Sequence, residues 1–206
     1  MRAEQVTYEW LQLAYPRITE HYAADDLVKL RKDLMAERRE FAVDLSLMRR
    51  QMLRVLADEH GYPQQALVEE GFELFYRLRH DVEFYPDVFT VLDRLKPGFR
   101  MGSISNGNAS AGLTPLADYF EVYLNAADVM ARKPDRKIFQ EFCRRMEVSP
   151  EQCVYVGDDP HTDVAGARDA GLRTVWVNRE NRQWDHDLAS ADAEVGDLHQ
   201  LLKLLG

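Results

Sequence analysis

Three short stretches of this 206-residue chain carry side chains suited to chemistry. The first runs Val154-Tyr155-Val156-Gly157-Asp158-Asp159-Pro160-His161-Thr162-Asp163. An apolar run breaks at Gly157 and releases three carboxylates, Asp158, Asp159 and Asp163, into a loop before a helix pattern starts. Carboxylates are hard oxygen ligands that suit Mg²⁺ better than zinc or copper. Like charges packed together also call for a cation to relieve them. The plainer reading is an acidic surface loop with Asp163 as a helix N-cap.

The second stretch is Ser105-Asn106-Gly107-Asn108. A serine hydroxyl and free backbone N–H groups can hold phosphate oxygens, and Gly107 permits close approach of the backbone. Asn-Gly is equally a tight-turn signal. The third is Lys133-Pro134, a cation ahead of a proline that could start a helix. It could neutralise a phosphoryl group or a carboxylate nucleophile, or stand solvated on the surface.

These groups need elements to position them. Residues 1 to about 80 show helical period. Val6, Trp10, Leu13 and Ala14 form one stripe, ending near Pro16. Leu27, Leu30 and Leu34 form a second, with Asp25 or Asp26 as N-cap. Leu45, Met48, Met52 and Leu56 form a third, closed by His60-Gly61. Pro63 opens a fourth carrying Leu67, Phe72, Phe75 and Leu78. After Val82 the pattern changes. A helix on Val88, Val91, Leu92 and Leu95 stops at Pro97-Gly98. Strands are then expected at 99–105, 120–124, 153–156 and 173–177. Helices are expected at 113–118, 134–146, 163–170 and 198–205. Such alternation implies a parallel sheet with crossover helices, and loops at the carboxyl ends of its strands are where such sheets place chemistry. The expected fold is α/β, with an all-helical unit at 1–82 and a Rossmann-like core at 83–206. Ser105, Lys133 and Asp158 are expected on successive strand ends of one sheet.

Bulk composition narrows the function. The formal charge is −9, with 46% hydrophobic and 30% charged residues. No basic excess is available for general nucleic-acid binding. No run is long enough to span a membrane, and the N-terminus lacks the apolar core of a signal peptide. Cys143 and Cys153 have no metal-type spacing and read as reduced thiols, so a cytoplasmic location is expected.

The order and spacing of Ser105, Lys133 and Gly157-Asp158 with Asp163 resemble the haloacid dehalogenase superfamily, mostly Mg²⁺-dependent phosphatases. Ser105 matches that family's second motif, Lys133 its third, and Gly157-Asp158…Asp163 its fourth, of the form G-D-x-x-x-x-D. Residues 1 to about 80 resemble its helical cap. Ser-Asn-Gly-Asn, Gly-Asp-Asp and Val-Trp-Val-Asn-Arg are also similar to a bacterial branch with flavin mononucleotide and riboflavin-pathway phosphatases. The resemblance implies that Ser105 and Lys133 are catalytic, with Ser105, Asn106, Gly107 and Lys133 holding the phosphoryl group. It implies that Asp158 ligates Mg²⁺, that Asp159 assists, and that Asp163 orients Lys133 or the metal shell. The implied reaction hydrolyses a small phosphomonoester, flavin-related or a sugar phosphate, through an aspartyl-phosphate. A monomer or homodimer is expected.

The family's first motif, D-x-D-x-T/V, does not occur in the chain. Asp25-Asp26 lies in a helix pattern, Asp44 lacks a second Asp, and Asp81-Val82-Glu83 places Glu second. In the family this motif ends a central strand. Two strand edges are therefore expected to be left open, or to pair directly. The expectation is a chain that begins downstream of its nucleophile, poorly stable and inactive as written. The alternatives are a catalytically inactive phosphate-binding or regulatory member, and a fragment completed by a partner chain.

Overall fold

The computed structural model describes residues 2–185 and 187–205. The chain divides into two compact units, Met1–Val82 with Gly107–Ala109, and Glu83–Asn106 with Ser110–Gly206.

The first unit is helical: α1 (Arg2–Ala14), α2 (Pro16–Thr19), α3 (Ala24–Glu37), α4 (Arg39–Val43), α5 (Leu45–His60) and α6 (Gln64–His80). Its core is an apolar cluster built on Leu11, Ile18, Leu53, Leu56 and Leu67. Gly61 closes α5 in the left-handed conformation, at φ 65°, a turn that glycine adopts without steric penalty. The expected stripe of α1 is corrected. Ala3, Thr7 and Leu11 form its buried face, while Leu13 stays 87% exposed. Asp26 does not cap α3 as its first residue. It sits in the first turn, and its carboxylate accepts the Ala23 backbone N–H at 2.9 Å.

The second unit is α/β with parallel pairing throughout. It runs α7 (Val88–Leu95), β1 (Gly102–Ser105), β2 (Val122–Asn125), α8 (Ala126–Val129), α9 (Arg136–Met146), β3 (Val154–Gly157), α10 (Gly166–Asp169), β4 (Arg173–Val177), β5 (Ala193–Val195) and α11 (Leu198–Leu205). The single expected sheet is corrected to two: β1 pairs with β2, and β3–β4–β5 forms the other. β1 and β3 do not pair with each other, so each has a ladder partner on one side only among the described residues. Both are half-buried along their whole length, whereas β4 is buried from Thr174 to Val177. Val175, Val177 and Val195 pack against Val91 and Leu95 of α7 and Leu201 of α11. β5 was not expected. Three residues with one buried valine carry too little alternation to announce a strand. The expected 113–118 helix is two 3₁₀ turns, Ala111–Leu113 and Pro115–Asp118.

Candidate active site

The acidic loop leaves β3 at Gly157. A Cβ there would stand 2.5 Å from Cβ and 2.6 Å from Cγ of Asp163, so only glycine lets the strand end pass over that side chain. The helical segment that follows starts as a π-turn, Pro160–Ala165, and not at Asp163 as expected. Asp159 is its N-cap. The Asp159 carboxylate accepts N–H bonds from His161 at 3.1 Å and Thr162 at 2.7 Å, and the Thr162 hydroxyl at 2.9 Å. The Thr162 backbone N–H holds the Asp159 carboxyl below the usual carboxylate range.

Asp163 is buried instead. One oxygen, Oδ2, accepts the backbone N–H groups of Asp158 and Asp159, each at 3.2 Å. The other, Oδ1, accepts Lys133 Nζ at 2.5 Å and the Tyr155 hydroxyl at 3.2 Å. Lys133 Nζ also donates to the Tyr155 hydroxyl at 3.0 Å. Lys133, Tyr155 and Asp163 thus close a three-membered polar cluster. Burial first, and then the Asp163 charge, push the Tyr155 phenol well above its ordinary pKa. Tyr155 therefore stays a neutral hydroxyl that can both give and accept.

Tyr155 was not singled out from sequence, although a signal was available. A tyrosine inside an apolar strand must find a partner for its hydroxyl. Its ring packs edge-on against Phe139 of α9, with centroids 5.2 Å apart.

Lys133 is not at a strand end. It follows α8, and its peptide bond to Pro134 is cis. What holds it is Asn106, directly after β1. The Asn106 side-chain amide accepts the Lys133 N–H at 2.7 Å and donates to the Lys133 carbonyl at 3.0 Å. Asn106 is thereby a clamp on the lysine backbone, acting through its side chain, which sequence reading had passed over in favour of its backbone. Close packing of α10 on this segment fixes it further. A Cβ at Gly166 would lie 2.8 Å from Pro134 Cα.

The three stretches therefore converge. Asn106 follows Ser105 and grips Lys133; Lys133 is held by Asp163; Asp163 holds the Asp158-Asp159 backbone. The Asp158 carbonyl is anchored from the other side by Trp176 Nε1 at 3.0 Å and an Arg182 guanidinium N–H at 2.5 Å. The remainder of Val-Trp-Val-Asn-Arg is also structural. Asn178 closes a turn by exchanging bonds with the Arg182 backbone at 2.8 and 2.9 Å. Arg179 meets both oxygens of buried Asp87 at 2.9 Å.

The three carboxylates expected as metal ligands do not gather. Asp163 faces Lys133, Asp159 caps its own turn, and Asp158 is exposed. Among the described residues, no three His, Cys, Asp or Glu side chains form a group able to hold an ion. The donor set still suits Mg²⁺ in one respect. Magnesium keeps most of its waters and commonly takes one or two carboxylates plus substrate phosphate, and Asp158, held by its backbone, is an exposed residue.

Parallel strands with crossover helices, and Asn106, Lys133 and Asp163 joined by hydrogen bonds in the loops that follow them, define a Rossmann-like α/β class. The model of the haloacid dehalogenase-like hydrolase family matches residues 2–171, and the chain belongs to that family. Among its relatives is a phosphoserine phosphatase of Thermus thermophilus, 35% identical over 155 residues, 71% of this chain and 60% of that protein. Another is the 5-amino-6-(5-phospho-D-ribitylamino)uracil phosphatase YigB of Escherichia coli, 26% identical, covering 100% of this chain and 88% of that protein. The crystal structure of a 2-haloacid dehalogenase from Pseudomonas syringae superposes with TM-score 0.91 at 37% identity, over 98% of this chain and 89% of that one. The matches to several of the curated relatives span only about half to three fifths of their length. No helix is long and apolar enough to cross a membrane among the described residues.

Proposed function

We propose that this chain carries the phosphate-handling part of a phosphatase of this family, acting on a small phosphomonoester. The observation that supports the reading is the hydrogen-bonded path from Asn106 through Lys133 and Asp163 to the Asp158 loop. Ser105 and the turn after it would bond the phosphoryl oxygens. The Lys133 ammonium, fixed at its backbone by Asn106 and at its tip by Asp163 and Tyr155, would offset phosphoryl charge without reorganising. Asp158 would hold Mg²⁺, which supplies charge neutralisation at the phosphate oxygens when bound. Asp163 and Tyr155 are positioning residues in this reading, and Asp159 shapes the loop. The full reaction would run through an aspartyl-phosphate, and its D-x-D-x-T/V motif is absent from these 206 residues. A cytoplasmic location, a small soluble metabolite as substrate, and a monomeric or homodimeric state belong to the same proposal.

The test has two arms. Inorganic phosphate, titrated with and without Mg²⁺, is expected to bind saturably. Ser105→Ala and Lys133→Met are expected to weaken it about tenfold each, as for lost bonds to a charged group. Absence of phosphate binding would sink the reading. In the second arm, p-nitrophenyl phosphate is expected to show no robust Mg²⁺-dependent turnover with the chain as written. Robust turnover would mean that another residue of these 206 serves as the nucleophile. A strand ending in D-x-D-x-T/V, encoded in frame upstream of Met1, would support the enzyme over an inactive phosphate-binding member; a close in-frame stop would support the latter. The likeness to a 2-haloacid dehalogenase favours a second reading, hydrolysis of a 2-haloacid. Release of chloride from 2-chloropropionate without phosphate binding would select it.

A further inference from the structure

The helical unit holds a cavity of about 410 Å³ walled by α1, α3, α5 and α6. Its charge is unlike that of the chain. Four cations, Arg31, Lys32, Arg49 and Arg79, line it against one carboxylate, Glu4, while the whole chain carries −9. Glu4 is shared: its Oε1 takes Arg31 at 2.9 Å and Arg49 at 2.5 Å.

Arg49 is the informative residue. Its side chain is 5% exposed, and its Nε is buried without an acceptor among the described residues. The guanidinium lies over the Phe75 ring, 3.9 Å from the centroid. Burial pulls its pKa below the ordinary arginine value, and Glu4 only partly offsets this. A buried donor left unmade is costly, more so on a charged group. A guanidinium presents a planar fork that a two-oxygen group satisfies best. Around it the wall is apolar, with Phe75 and Met48 both buried. The cavity thus offers a cation in want of an acceptor, a surplus of positive charge, and an apolar floor.

We propose that this cavity binds a small organic carboxylate, its two oxygens on the Arg49 fork and its apolar part against Phe75 and Met48. Lys32 and Arg79 supply the surrounding field. Asn108, three residues after Ser105 in the chain, is part of the same wall and bonds Ser46 at 3.4 Å. Binding follows from the cavity alone.

The test is calorimetric titration of the full chain with benzoate, and with benzyl alcohol as the neutral counterpart, at low salt. Benzoate is expected to bind saturably and benzyl alcohol at least about tenfold more weakly. Arg49→Gln is expected to weaken benzoate about tenfold. Because a change at a buried residue can impair folding, Lys32→Gln/Arg79→Gln, both exposed positions, serves as the second variant, with about a threefold loss and a steeper loss at low salt than at high. Lys203→Gln, an exposed position on α11, is expected to leave benzoate affinity unchanged. The proposal is overturned if benzoate does not bind, if benzyl alcohol binds equally, or if binding falls with Lys203→Gln and not with the cavity variants. Benzoate binding does not depend on phosphate binding, so failure here is distinguishable from failure of the phosphatase reading.

Discussion

Lys133 Nζ stands 2.5 Å from Asp163 Oδ1, and both side chains are nearly out of water, at 12% and 7% exposure. The pair joins two segments that leave different sheets, since β2 precedes Lys133 and β3 precedes Asp163. It is therefore a tie in the fold as well as the support of the candidate site.

Asp163→Asn removes the charge that balances Lys133 while keeping the side chain's shape. Leaving one member of a buried pair uncompensated destabilises by about 3 kcal/mol. Urea unfolding should show that loss, and adding Lys133→Met should restore a good part of it, with the two changes coupled by more than about 1 kcal/mol. Additive effects would mean that the pair is not a structural tie.

Gly157→Ala tests the contact between the strand end and Asp163. The added methyl has no room, because it would meet Asp163 carbons at 2.5 and 2.6 Å. Overpacking of this kind costs about 1–3 kcal/mol. The variant should also weaken phosphate binding, since Asp163 must move away from Lys133. A variant with native stability and native affinity would show that the loop can shift freely.

Asp87 governs part of the acid response. Burial by itself raises its carboxyl, but the Leu198 backbone N–H and Arg179 outweigh this and hold it below the usual carboxylate range. A group depressed in the fold contributes stability above its unfolded value, about pH 4, and loses it as the pH falls through the lower folded value. Between about pH 5 and pH 2 the stability of the parent protein should therefore fall more steeply than that of Asp87→Asn. Parallel pH curves for the two proteins would contradict this.

Cys143 should be chemically silent in the native state. Burial and the Cys153 thiol at 3.8 Å push its pKa up to about 12, so at pH 8 it is a thiol and not the reactive thiolate. Iodoacetamide at pH 8 should alkylate half-buried Cys153 first, and Cys143 only after unfolding in urea, as read by peptide mass spectrometry. Equal rates on the native protein would refute the assignment.

Much of this molecule could be read from its residues. The α5 stripe of Leu45, Met48, Met52 and Leu56 repeats with helical period and meets a glycine stop, so local sequence carries both its existence and its end. The runs at 154–157 and 173–177 are apolar enough to demand strands, and the Ser105, Lys133 and Asp158 stretches marked themselves by residue type. Spacing along the chain says little about which side chain turns inward. Asp158, Asp159 and Asp163 are the same residue type in one loop, yet one is exposed, one caps a turn and one is buried on a lysine thirty positions away. Those fates depend on contacts made by Tyr155, Gly157 and Thr162 in three dimensions. The separation into two sheets has the same origin, because strand pairing is a long-range hydrogen-bond choice that no strand's own residues encode. So has the anion cavity. Arg31, Arg49 and Arg79 lie on three helices, and only their packing leaves a buried guanidinium whose Nε has no acceptor among the described residues.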